Sequence, residues 1–160
     1  MGFFSRWFKR DEDFTVSELM APDDAGDQPV LDTRTKSAVM AELVIHQAIA
    51  AHERWKLLLE QVLDGAACDD LDPELVCQDD RCDLGKWLHG PGRDRLGKYP
   101  AFTLLVSKHK YFHHQAAQVL REAQAGRREE ADRLLRTSFQ HGSNQVLLLL
   151  KELRRGLGIR

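Results

Sequence analysis

From Thr35 to near the C-terminus, apolar residues recur three and four apart, and no stretch of any length alternates as a strand would. That confines the chain to packed helices. A first helix fits about 36–64, with Ile45, Ile49, His52, Trp55, Leu59 and Val62 near one face and a stop near Asp64–Gly65. Acidic, loop-like sequence follows to Asp80. A short helix fits "RCDLGKWL", with Asp79 or Asp80 as N-cap and Gly90–Pro91 as its stop. A third helix runs from near Pro100 to about Gln124, Gly126 breaks the chain, and a fourth covers about 128–155. Long helices joined by short connections pack antiparallel, so the expected fold is all-α, an antiparallel four-helix bundle with a short extra helix carrying the cysteine motif. The run "VLLLL" at 146–150 is apolar on more than one side. It implies a homodimer whose two-fold surface includes Leu147 and Leu150.

The first 35 residues read differently. In "MGFFSRWFKR", Phe3, Phe4, Trp7 and Phe8 fall on one side of a short helix and Arg6, Lys9 and Arg10 on the other, and "APDDAGDQPVLD" reads as a linker. The expected organisation is a flexible head and linker over 1–35 and a bundle over 36–156. With 42% hydrophobic residues, the chain can bury one domain's core. Its 23 basic and 25 acidic residues argue against nucleic acid as a partner. No run approaches the ~18 apolar residues of a transmembrane segment. The "GFF" near the N-terminus is too short for the core of a signal peptide. These features lead us to expect a cytoplasmic protein.

"SKHKYFHHQAAQVL", residues 107–120, places three histidines within six positions. On the wheel of that helix the apolar face runs through Phe102, Leu105, Val106, Phe112, Ala116 and Leu120. His109 and His113 lie on this face one turn apart, where both can reach one ion, while His114 lies well round from it among residues that water can satisfy. The same test puts His52 on the core face of the first helix and His46 on a solvated stripe with Glu53 and Glu60. Of the three cysteines, Cys82 starts the short helix, where the helix end and a nearby cation favour the thiolate that zinc prefers, whereas Cys68 and Cys77 sit in acidic loop sequence. Gly85 has no side chain to hold that turn away from its neighbours, and Trp87 supplies an apolar anchor. One thiolate and three imidazoles suit tetrahedral zinc. The alternative is a set of core histidines, each hydrogen-bonded to something nearby.

Other chemistries fit less well. "HERWK" opens like a zinc hydrolase helix but has Lys56 where the second histidine belongs. Di-iron bundles use Glu-x-x-His pairs, and no histidine of this chain has a glutamate three residues before it.

"AIAAHERW", "CDLGKWL" and "HKYFH" resemble, in that order and at similar separations, the motifs of the chemoreceptor zinc-binding (CZB) domain family. Members carry a histidine followed three residues on by an aromatic, a Cys-x-[Leu/Phe]-Gly-x-Trp motif and a His-x-x-x-His pair. The resemblance covers about residues 36–155 and implies His52, Cys82, His109 and His113 as zinc ligands, the set the wheels select. It further implies a helical bundle, often dimeric, without catalysis, that regulates an output module in chemoreceptors and diguanylate cyclases. There zinc, or oxidation of the zinc-bound cysteine by hypochlorous acid, alters output. This sequence contains neither a long coiled-coil signalling hairpin nor a cyclase domain, so a chemoreceptor or diguanylate cyclase pathway would be reached through an unknown signalling partner. The competing expectations are a metal-free or zinc-stapled adaptor and, behind it, a metal-dependent hydrolase.

Overall fold

The computed structural model describes residues 33–157 apart from Asp69, with the backbone alone described over 33–40. The expected head and its apolar face at Phe3, Phe4, Trp7 and Phe8 lie outside the described residues. The elements are α1 (Thr33–Leu63), α2 (Pro73–Val76), α3 (Asp83–His89), α4 (Pro91–Leu96), α5 (Pro100–Gln124), α6 (Arg128–Leu134), a π-helical segment (Leu135–Phe139) and α7 (Gln140–Gly156). Among the described residues there is no strand, and the chain forms an all-α bundle. No described helix is long and apolar enough to cross a membrane.

Three long members make the frame: α1, α5 and the continuous rod from α6 through the π segment to α7. Short helices close the remaining side, with α2 lying on α5 and α3 touching both α1 and α5. Glycine ends two of the long elements as expected. Gly65 (φ 99°) follows α1 and Gly126 (φ 75°) separates α5 from α6, both in the left-handed region where a Cβ is strained. The core runs along the shared faces, through Ile45, Leu59, Leu105, Phe112, Leu120, Phe139 and Leu150, all at most 1% exposed. Phe112 is its centre, with its ring 5.2 Å from Phe139 and 6.5 Å from Trp55. Complete burial of such a side chain contributes roughly 1.5–3 kcal/mol.

Four details depart from the sequence reading. First, the acidic stretch before Asp80 contains α2, started by Asp72, whose side chain accepts the Glu74 N–H, and by Pro73 at the first helical position. Second, Gly90–Pro91 ends one helix and begins another, because Pro91 suits the first turn of α4. Third, the last helix is not uniformly α. Ala131, Leu135 and Phe139 are all buried at four-residue spacing, a pattern that drifts round an α-helix and that the wider π turn keeps on one side. Fourth, Leu150 is fully buried in the chain's own core and so is not available to a dimer contact, while Leu147 is half-buried. The exposed member of that run is Leu148, at 60%.

Candidate metal centre

His109 and His113 emerge one turn apart from the buried side of α5, 0% and 3% exposed. Cys82 approaches them from across the bundle as the N-cap of α3, its Sγ accepting the Gly85 N–H at 3.2 Å. Cys82 itself therefore takes the capping position expected of Asp79 or Asp80. The Cys82 Sγ lies 3.3 Å from His109 Nε2, and His109 Nε2 lies 3.2 Å from His113 Nε2. Ligand atoms of these three residues all lie within 4.8 Å of one another. A tetrahedral zinc with its usual bond lengths sets ligand atoms about 3.5 Å apart for sulfur and nitrogen and about 3.3 Å apart for two nitrogens. Two of the trio's edges, both meeting at His109 Nε2, thus match edges of that shell.

Backbone carbonyls fix two of the imidazoles. His113 Nδ1–H donates to the Val76 carbonyl at the end of α2, 2.7 Å away, and His52 Nδ1–H donates to the Ala48 carbonyl one turn back on α1, also 2.7 Å away. Each bond leaves Nε2 as the lone-pair nitrogen, the arrangement seen around metal-bound histidines. For both rings the orienting group is thus a backbone carbonyl and not a carboxylate. With His113 Nε2 an acceptor, the short contact to His109 Nε2 requires the proton there to sit on His109. The Cys82 thiol hydrogen faces the Asp79 carbonyl at 3.8 Å. A cation would replace the thiol proton, while the imidazole proton of His109 would move to Nδ1.

His52 stands one ring further away. Its ring centroid is 5.5 Å from that of His109 and 4.5 Å from that of Phe112, and neither of its ring nitrogens joins the close trio. His52 Nε2 is nonetheless buried with no hydrogen-bond partner, as is His109 Nδ1. Burying a polar atom unpaired costs about 1–3 kcal/mol, so the lone pair of His52 Nε2 is a place where a ligand is chemically wanted. The remaining histidines fall outside the trio. His46 is exposed as expected, and His89 is exposed with Nε2 2.8 Å from Asp79 Oδ2. His114 is exposed but rests on Cys77, a pairing the sequence reading missed.

The electrostatics are those of a buried pocket that favours the neutral form of each group. Burial pushes His52 down to about 4, against the partial support of the Ala48 carbonyl and with added repulsion from His113. Burial likewise holds His109 well below the ordinary histidine range, followed by its histidine neighbours, and lowers His113 despite the Val76 carbonyl. The Cys82 thiol is pushed up to about 11, chiefly by burial, with Asp83 and Asp79 adding to the rise and the Gly85 N–H opposing it. The expected lowering at the helix end is therefore overturned for the free thiol, because one N–H cannot offset the loss of water. Only a cation in the pocket reverses that balance.

Residues 52–120 match the sequence model of the chemoreceptor zinc-binding domain. The matched stretch begins at His52 and contains Cys82, His109 and His113. Comparison with the curated proteins and with the solved structures gave no match.

Proposed function

Because residues 52–120 match the chemoreceptor zinc-binding domain, we propose that this chain is a member of that family and a cytoplasmic regulatory zinc module of bacterial signalling without catalysis of its own. The observation that carries this reading is the convergence of Cys82, His109 and His113, whose ligand atoms lie within 4.8 Å of one another, with Cys82 Sγ and His113 Nε2 each at a tetrahedral-edge distance from His109 Nε2. His52 completes the set as the fourth ligand through its unpartnered Nε2, which closes the shell and leaves no position for a reacting water. A bound zinc ion supplies the positive charge that stabilises the Cys82 thiolate inside the bundle. Metal analysis tests the ligand set: one tightly held zinc per chain is expected, lost with Ala at Cys82, His109, His113 or His52 and retained with Ala at His46, His89, His114 or His141. A His52→Ala protein that keeps full affinity would overturn the fourth ligand, and a wild-type protein that holds no zinc would leave an adaptor bundle.

The signal enters at Cys82. Hypochlorous acid oxidises the thiolate to a sulfenic acid with release of chloride, and a sulfenic acid is a poor zinc ligand. Helix α3 has seven residues and no independent stability, so release of its N-cap frees it while α1, α5 and the α6–α7 rod stay packed. Hydrogen exchange before and after hypochlorite treatment reads this. Protection should fall chiefly over 78–92, and a uniform loss through all helices would reassign the metal to a purely structural staple.

The module acts as a homodimer and passes its state to a signalling partner, and Leu148 is the exposed apolar residue that a two-fold contact through α7 would cover. Leu148→Glu should give monomers in sedimentation with an unchanged melting temperature. A wild-type chain that stays monomeric at high micromolar concentration sinks the dimer.

A further inference from the structure

Cys77 and His114 are 37 positions apart in sequence, yet the fold places Cys77 Sγ 3.4 Å from His114 Nδ1 and 3.9 Å from Nε2. We propose that this thiol and imidazole form a second, surface site for a zinc-class divalent cation, separate from the buried centre.

The placement is fixed from both sides. Cys77 caps the C-terminus of α2, its N–H bonded to the Pro73 carbonyl at 2.9 Å, and His114 stands on α5, a long helix of the frame. The sulfur–nitrogen spacing of 3.4 Å is close to the roughly 3.5 Å edge of a tetrahedral zinc shell. The pair also combines the ligand types that zinc takes in preference to magnesium or calcium. His114 is exposed and Cys77 is half-buried, so water can complete the coordination. A thiol and an imidazole at such a position do not need each other for hydrogen bonding, because solvent would serve both.

The surroundings suit a weak, exchangeable ion. The nearby Arg121 guanidinium lies 2.6 Å from Glu74 Oε1, so its charge is already matched. Each half of the site adjoins a residue of the buried centre: Cys77 follows Val76, whose carbonyl orients His113, and His114 follows His113 itself. An ion held here therefore sits on the outer side of the contact between α2 and α5 whose inner side orients a candidate ligand. With two protein ligands against four, the outer site binds more weakly and exchanges faster.

Zinc titration of the full chain against a chromophoric chelator, repeated with cobalt to read the sulfur-to-metal charge-transfer band, tests the proposal. Wild-type protein should take up two equivalents, one tight and one weaker. Cys77→Ser, His114→Gln and the double variant should leave the tight equivalent unchanged and weaken the second at least tenfold. Cys82→Ala should do the reverse, so failure of the buried centre and failure of the surface site give different curves. A wild-type chain that binds one equivalent only, or a second equivalent that survives the double variant, overturns the site. Both positions lie at the surface, and a melting temperature within a few degrees of wild type confirms that each variant is folded.

Discussion

Gly85→Ala should unseat α3 and abolish tight zinc binding in the same step. A Cβ built on Gly85 would lie 1.7 Å from the Asp79 carbonyl oxygen, 2.7 Å from its carbon and 3.0 Å from the Asp80 Cα. All three atoms are backbone, so no change of rotamer relieves the contact. Either the 79–80 turn or the first turn of α3 must move, and Cys82 belongs to that turn through its bond to the Gly85 N–H. Overpacking in a core costs about 1–3 kcal/mol when side chains can adjust, and a backbone clash exceeds the upper end of that range. The expected result is a loss of about 3 kcal/mol or more in urea unfolding, together with loss of the tight zinc equivalent. Gly156→Ala is the control, since its Cβ would meet nothing within 4 Å. A Gly85→Ala protein that unfolds at the wild-type midpoint and holds zinc normally would show that α3 is not tethered as described.

Gly85 marks how far the sequence could be read. A glycine one turn into a short helix signals a close approach, but not what approaches. The neighbour is the carbonyl of a preceding turn and not the side of another helix. Where a residue's environment is set by its own helix, the sequence was sufficient: the 3.6-residue period separates His109 and His113 from His114, and His52 from His46, and burial follows that division. Where it is set by the path of a loop, the period carries no information. Cys77 and His114 meet because α2 folds back onto α5, and the only local hint was the Asp72–Pro73 helix start. The π turn escaped notice for a related reason, since four-residue spacing of Ala131, Leu135 and Phe139 is tolerable in an α-helix of that length. The free Cys82 thiol was misjudged because its helix-end position is local, whereas the burial that dominates it comes from α1 and α5.

The metal-stripped protein should lose stability steeply as pH falls below about 6.5, and zinc should move that loss toward lower pH. His52 is held down to about 4 in the fold and returns to the ordinary value of 6.5 when the chain unfolds. The unfolded state therefore binds more protons throughout that interval, and stability rises with pH across it. Stability is complete above 6.5 and falls through the window down to about 4. For His52 alone the full interval corresponds to about 3 kcal/mol, at 1.36 kcal/mol per unit. His109 and His113 are shifted in the same direction by burial, so they deepen the slope. Such a sum is a large share of the 5–15 kcal/mol that holds a typical domain together. Cys82 acts at the other end: its pKa rises from 9.0 to about 11 on folding, so it removes stability as pH climbs through that range. The stripped protein should therefore be most stable between about pH 6.5 and 9. Zinc binds only neutral imidazoles and the thiolate, so saturating zinc stabilises the fold in proportion to its affinity, and protons must then compete with the metal for the same nitrogens. Urea midpoints at pH 7.5, 6 and 5, with chelator and with zinc, measure both effects. Replacing His52 by Leu should make the chelator curve shallower below pH 6.5, with His109 and His113 still contributing, while leaving its alkaline limb in place. A chelator curve that is flat from pH 7.5 to 5 in the wild-type protein would mean that these histidines are not neutral and buried in the folded chain.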